Sequence, residues 1–206
     1  MKLLVDLDGV VFDFEGDWTE RVHQLLGRYV VPNKTTAYDD LHIRGGFPDR
    51  ASFWEWYRES GGFAFDRTYP GAVETVRCWV AWGHEVLIVT SRPRWARSET
   101  LWTIARLGIP VAGVVFAHSK ERIAADLAFE DNPQTLYMMA TQGRAQPVRV
   151  DRPWNRPAFY NERWAAKLTE MPAISNLFES RDTLEDLRWQ KQLKFEEVAR
   201  PSHNID

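Results

Sequence analysis

One cysteine, Cys78, stands in 206 residues, so no internal disulfide can form. That scarcity fits a reducing, cytoplasmic setting. No apolar run reaches the roughly 18 residues that a membrane span requires, and Met1-Lys2 leads straight into a strand-like run with no signal-peptide pattern. The expectation is a cytoplasmic protein without a membrane partner. Neither sign of charge dominates: 26 Lys and Arg stand against 29 Asp and Glu, a net charge of −3. A global basic field of the kind that draws in long nucleic acid is therefore absent. The histidines, at 23, 42, 84, 118 and 203, show no zinc-ligand spacing. There is no internal repeat and no low-complexity tract.

What is present is a globular composition, 44% apolar and 27% charged, long enough for one domain with a sizeable core and an insertion. Ten tryptophans are many for this length. Most are expected in the core, with some left as flat stacking surfaces. "KLLVDL" (2–7) reads as a short buried strand. Val11, Phe14, Trp18, Val22, Leu25 and Tyr29 then recur at spacings of three and four, which predicts a helix. "RASFWEWYRES" (50–60) is also helical in pattern. "YPGAVETVRCWVAWG" (69–83) predicts a helix opened by Pro70 and closed by Gly83, with Cys78 as a buried small hydrophobe. "HEVLIVT" (84–90) is a strand buried on both faces. Helix 92–108, strand 112–117, a short helix 120–125, strand 126–130, helix 133–143 and strand 146–150 follow.

This alternation predicts a doubly wound α/β fold with a parallel sheet and right-handed crossovers. Residues 14–68 interrupt it, being helical, aromatic and long for a connection, and are read as a small helical cap inserted in a core of 1–13 and 69–150. Residues 151–206 remain as a tail: "DRPWNRP" is a rigid loop, and Asp182 and Glu185 have capping-box spacing before a charged helix at 183–198. That terminal helix is expected to serve packing or a homodimer contact.

The opening "LLVDLDGVVFD" places Asp6, Asp8 and Asp13 within eight residues. Carboxylates that close repel unless a positive charge lies between them. In open parallel sheets ligands bind beyond the carboxyl ends of the strands. There the chain offers Asp6 and Asp8 after the first strand, Thr90, Ser91 and Arg92 after the second, Lys120 after the third, and Glu130 and Asp131 at the fourth. Carboxylates without histidine or cysteine suit a hard, oxygen-loving cation, Mg2+ above all. Lys120 and Thr90 are placed to hold phosphate oxygens. Phosphoryl transfer fits this set, with one carboxylate as nucleophile and a neighbour to protonate the leaving alkoxide and then activate water. Asp6 and Asp8 can share those roles if the turn that Gly9 permits faces both into the pocket.

"DLDGV", "VLIVTS", a lysine and "FEDN", in that order, resemble the four motifs of the haloacid dehalogenase superfamily of phosphatases. "DLDGVVFDFE", "GGFAFDRTYPGAVETV", "VTSRP" and "SKERIAADLAFEDNP" are similar to the 5'(3')-deoxyribonucleotidase family over about residues 3–135. The resemblance implies hydrolysis of nucleoside monophosphates, deoxy pyrimidine forms preferred, with Mg2+. It implies Asp6 as nucleophile and metal ligand, Asp8 as acid/base with its backbone carbonyl on the metal, and Asp131 as a third metal ligand. Thr90 and Lys120 would bind phosphate, with Ser91 adjacent. Phe14 and Phe63 fall where the family's aromatic residues sandwich the base, and Phe53 or Trp54 would be a third wall. The chain departs from the family's usual pattern at Glu130, where an aspartate is common, and at Arg92, an added cation that would touch phosphate or base.

Plainer structural readings stand beside these. Thr90-Ser91 is a good helix N-cap, Asp13 a helix start, and Arg92, Arg94 and Arg97 one solvated helical turn. The expected activity is phosphomonoester hydrolysis of a small nucleotide. The alternatives are a phosphatase of polynucleotide ends or sugar phosphates, and a non-catalytic nucleotide-binding scaffold.

Overall fold

The computed structural model describes residues 1–31, 40–64, 67–180 and Leu184. Among these, six parallel strands form one sheet: β1 (Lys2–Val5), β2 (Glu85–Thr90), β3 (Gly113–Phe116), β4 (Leu127–Glu130), β5 (Gln146–Val150) and β6 (Ala173–Ile174). Their order is β3-β2-β1-β4-β5-β6, so the chain winds one way from β1 to β3 and the other way from β4 to β6. β1 is central, with Leu3 paired to Val86 on one side and Leu127 on the other. Its side chains alternate between faces: Leu3 and Val5 join the larger apolar core, while Leu4 packs with Val89, Ala128 and Met139 on the opposite face. A strand covered on both faces has no polar side to show, which explains the unbroken apolar run.

The helices are α1 (Phe14–Leu26), α2 (Leu41–Gly45), α3 (Arg50–Glu59), α4 (Ala72–Ala81), α5 (Arg97–Arg106), α6 (Pro133–Gln142) and α7 (Glu162–Glu170). Asp13 caps α1, its Oδ1 accepting from Gly16 N at 2.9 Å. Only the first part of the periodicity reaches the core: Trp18 and Val22 are buried, Trp18 edge-on against Phe53 of α3, whereas Leu25 and Tyr29 are exposed. Cys78 is half-buried rather than buried. Residues 120–125 form a 3-10 turn at Lys120–Arg122 instead of a helix, since the chain needs only a short link into β4.

Helices α1 to α3 form an insertion whose two ends are zipped together. Phe12 bridges Thr68 antiparallel. Asp13 N donates to the Arg67 carbonyl at 3.0 Å and Tyr69 N to the Val11 carbonyl at 2.9 Å. Beyond β5 the chain turns through Pro153–Asn155, forms α7 and returns as β6, whose residues pair with Arg149 and Val150. α7 and β6 were not among the elements read from sequence, and the expected helix at 183–198 lies outside the described residues apart from Leu184.

Candidate active site

The strand order reverses between β1 and β4, and such a switch point opens a crevice at the carboxyl ends. Asp6 follows β1, its N–H bonded to the Phe129 carbonyl at 3.0 Å, and Glu130 and Asp131 sit at the tip of β4. The sheet thus brings the three acids together: one carboxylate oxygen from each of Asp6, Glu130 and Asp131 lies within 4.8 Å of the others. The loop between is tight. Leu7 O accepts from Val11 N and Phe12 N, both at 2.8 Å, and Gly9 adopts φ +81° against Asp131. A Cβ at Gly9 would stand 2.0 Å from Asp131 Oδ2, so the glycine makes room for that carboxylate.

Lys120 Nζ reaches between two of the acids, 2.8 Å from Asp6 Oδ1 and 2.7 Å from Glu130 Oε2. The other oxygen of Glu130 accepts the backbone N–H of Asp131 at 3.2 Å and of Asn132 at 3.0 Å. Glu130 is therefore engaged on both oxygens, the reason its longer side chain is accommodated. Three buried carboxylates face one ammonium here. Burial first, and then the charge of Glu130, push both Asp6 and Asp131 well above the usual carboxylate range, opposed by Lys120 at Asp6 and by Arg152 and then Lys120 at Asp131. Lys120, flanked by Asp6 and Glu130, is itself raised against the pull of its burial.

A divalent cation fits this set. The donors are hard oxygens, the negative charge exceeds the positive, and the buried Asp131 Oδ1 has no hydrogen-bond partner. Asp6 and Asp131 are the side chains that would hold it.

Asp8 points differently. Its carboxylate takes a two-pronged pair from Arg92, Nη2 to Oδ1 at 2.6 Å and Nε to Oδ2 at 2.8 Å. Arg92 also donates to Thr100 Oγ1 at 3.1 Å, and its guanidinium lies 4.4 Å from the Phe63 ring centroid. The added cation thus meets Asp8 and a ring. Thr90 is buried behind the turn, its hydroxyl accepting from Arg92 N at 3.2 Å, and Ser91 takes the place at the cavity wall. Lys120 likewise lies behind that wall rather than in it.

A cavity of about 490 Å3 joins these acids to the insertion. Asp6, Asp8, Asp131, Ser91 and Arg92 line it together with Phe14, Trp18, Trp54, Phe63 and Trp95. Phe14, Trp54 and Phe63 are near-parallel rings with mutual centroid distances of 6.0 to 6.1 Å. Three rings so spaced cannot lie on one stacking axis. The 6.0 Å between Phe14 and Phe63 is also short of the roughly 7 Å that two van der Waals contacts need, so no ring fits between this pair as they stand. Phe63 is only 3% exposed, with Arg92 over its ring, which leaves the half-buried Phe14 and Trp54 as the accessible faces. Of the two candidates for a third wall, Trp54 lines the cavity, while Phe53 is buried edge-on against Trp18.

Sequence reasoning missed the segment after β5. Trp154 Nε1 donates to Asp131 Oδ2 at 2.9 Å and lines the cavity. The same rule that gathered residues beyond the first four strand tips, applied to β5, would have found it.

A parallel sheet with paired acids at its central tip, a lysine and further acids beside them, and an insertion over the crevice define a phosphatase of the haloacid dehalogenase superfamily. The model of the 5' nucleotidase, deoxy (pyrimidine), cytosolic type C protein family matches residues 1–174, and the chain belongs to that family. No curated protein matches the chain significantly. Among solved structures it is similar to a HAD family hydrolase from Deinococcus radiodurans R1 with bound phosphate and sodium, at TM-score 0.61 and 15% identity, covering 90% of this chain and 95% of that one. A protein from Clostridium acetobutylicum described as a predicted phosphatase gives TM-score 0.59 and 14% identity over 90% and 98% of the two chains. A HAD-hydrolase from Bacillus subtilis bound to magnesium gives 0.58 and 14% over 89% and 98%. At such identities these likenesses speak for the fold.

Proposed function

We propose that this phosphatase removes phosphate from nucleoside monophosphates, deoxy forms among them, with Mg2+ and through an aspartyl-phosphate on Asp6. The carrying observation is the shared cavity, in which Asp6, Asp131 and the faces of Phe14 and Trp54 open into one space. Flat apolar faces suit a base, which always offers a π-face. Polar walls, which a sugar phosphate would call for, are few on the insertion side.

In this reaction Asp6 attacks phosphorus as the bond from phosphorus to the nucleoside oxygen breaks, and that oxygen takes a proton from Asp8. Water then attacks the same phosphorus, giving its proton to Asp8 while the bond to Asp6 breaks and phosphate leaves. Held at Asp6 and Asp131, Mg2+ would neutralise the phosphoryl oxygens. Lys120 fixes the attacking carboxylate, and Asp8 must free one oxygen from Arg92 before it can donate. A reducing cytoplasm fits the lone Cys78, and no helix among the described residues is long and apolar enough to cross a membrane.

A panel of dTMP, dUMP, glucose phosphate and an end-phosphorylated oligonucleotide tests the reading. The mononucleotides are expected to turn over fastest, with activity lost in a chelator. Equal rates on all four would remove the nucleotide assignment, and full activity in chelator the metal.

A further inference from the structure

The chain beyond β5 reaches back across the crevice. Trp154 gives its indole N–H to Asp131 Oδ2 at 2.9 Å, and the next residue, Asn155, gives its side-chain amide to the Asp131 carbonyl at 2.8 Å. The same amide also holds the Val150 carbonyl at 2.8 Å, and its Oδ1 accepts from Arg152 N at 3.0 Å. Asn155 is fully buried, so each of these bonds is made away from competing water. Arg152 Nε in turn donates to the Gly9 carbonyl at 2.7 Å, in the loop that carries Asp8. One short segment therefore grips both acid-bearing loops, after β1 and after β4.

The consequence lies in what is left over. Asp131 is fixed at its backbone by Asn155 and at one carboxylate oxygen by Trp154, and its other oxygen, Oδ1, is buried without a hydrogen-bond partner. A buried acceptor with no donor is costly unless a positive charge meets it. Mg2+ demands near-ideal octahedral geometry, so it gains from a ligand that cannot rotate.

We propose that Trp154, seated by Asn155, is a positioning residue that turns Asp131 so that Oδ1 faces the cation. The inference rests on the metal-dependent reading above. It assigns this role to a residue outside the four motifs, in a segment whose sequence suggested only a rigid loop. Donors on the far side of a metal ligand typically change affinity by about tenfold to a hundredfold when removed.

Trp154→Phe keeps a ring in place and removes only the N–H. Mg2+ titrated calorimetrically into the full chain should then bind about tenfold to a hundredfold more weakly than to wild type. The thermal midpoint without metal should stay close to wild type, while the rise produced by a fixed Mg2+ concentration shrinks. Trp102→Phe, on an exposed tryptophan of α5, should change neither. Equal Mg2+ affinity in wild type and Trp154→Phe would overturn the inference and leave the phosphatase reading intact. No Mg2+ binding by wild type would overturn both. Should Trp154→Phe fail to fold, the assigned indole 15N–1H signal of Trp154 in wild type decides. It should shift on Mg2+ saturation while that of Trp102 does not, and a signal that stays put refutes the role.

Discussion

Asp6 at its strand tip, with Lys120 and Glu130 behind the cavity wall, and Phe14, Trp54 and Phe63 in the insertion keep their places by different means. At the tips, backbone geometry does the placing: the neighbouring parallel strands β1 and β4 end beside each other, and each side chain is then fixed by an opposite charge at 2.7 to 2.8 Å. In the insertion, rings pack on rings. Tyr57 meets Phe14, Trp54 and Phe63 edge-on at 5.2 to 6.0 Å, and no hydrogen bond fixes those three rings among the described residues. The first arrangement specifies single atoms, as attack on phosphorus requires. The second specifies a surface, which tolerates a sliding ligand and can part to admit one.

Asp6 is where the two regions should separate most. Asp6→Asn retains the shape of the tip and removes the nucleophile, so turnover should fall by roughly 10⁶-fold, the scale seen when a covalent nucleophile is lost. Nucleotide binding, measured calorimetrically, should persist because the insertion is untouched. Binding lost together with turnover would mean that the rings do not hold the base by themselves.

Lys120→Met tests whether charge pairing supports the tips. Two buried carboxylates lose their ammonium, and breaking a buried pair costs about 3–5 kcal/mol. Denaturant midpoints should register that loss, and adding Glu130→Gln should recover part of it by removing one of the stranded charges. If the double variant is as unstable as the sum of the singles, Glu130 and Lys120 are not coupled.

Trp54→Ala addresses the insertion alone. Base stacking contributes about 1–3 kcal/mol per base, so KM for a nucleotide should rise by roughly 5-fold to 150-fold. KM for p-nitrophenyl phosphate, which has no base to stack, should change far less. Phe63→Leu should have the weaker effect, because Arg92 already covers that ring.

The same contrast explains what could be read from sequence. The first five strands and the acids at the tips of two of them were legible because an unbroken apolar run followed by a carboxylate means a buried strand ending at a crevice, whatever surrounds it. Two things were not legible. The partner of Asp8 depends on the path of Arg92 across the turn, a rotamer choice that no spacing encodes. The bond from Trp154 to Asp131 joins residues 23 apart: the strand-tip rule could bring Trp154 to the crevice, but not its indole N–H onto that carboxylate. In the insertion, periodicity at three and four foresaw a helix but not where its burial ends, so Leu25 and Tyr29 looked like core and are exposed. Tertiary packing decided that, as it commonly overrides local pattern.

A slighter change, at Asp17, bears on whether the insertion contains a charge site like those of the tips. Asp17 on α1 accepts from Arg21 Nε at 2.7 Å and from the Tyr57 hydroxyl at 3.0 Å on the same oxygen. Burial nevertheless outweighs both partners and raises its pKa above the usual carboxylate value. The sign follows from linkage. Between the unfolded value, about 3.9, and the raised native value, the folded chain holds a proton that the unfolded chain has released. The native state then binds more protons, so Asp17's contribution to stability is fully present below that window, falls as pH rises through it, and levels off above. Asp17→Asn cannot titrate, so subtracting its urea-derived stability from that of wild type at successive pH values isolates this one group. The difference should decline from the acid side toward neutrality by an amount below that of any variant above. A difference that instead grows with pH would mean that Arg21 governs Asp17 as Lys120 governs the tips, and the insertion would then be held by paired charge as well as by its rings.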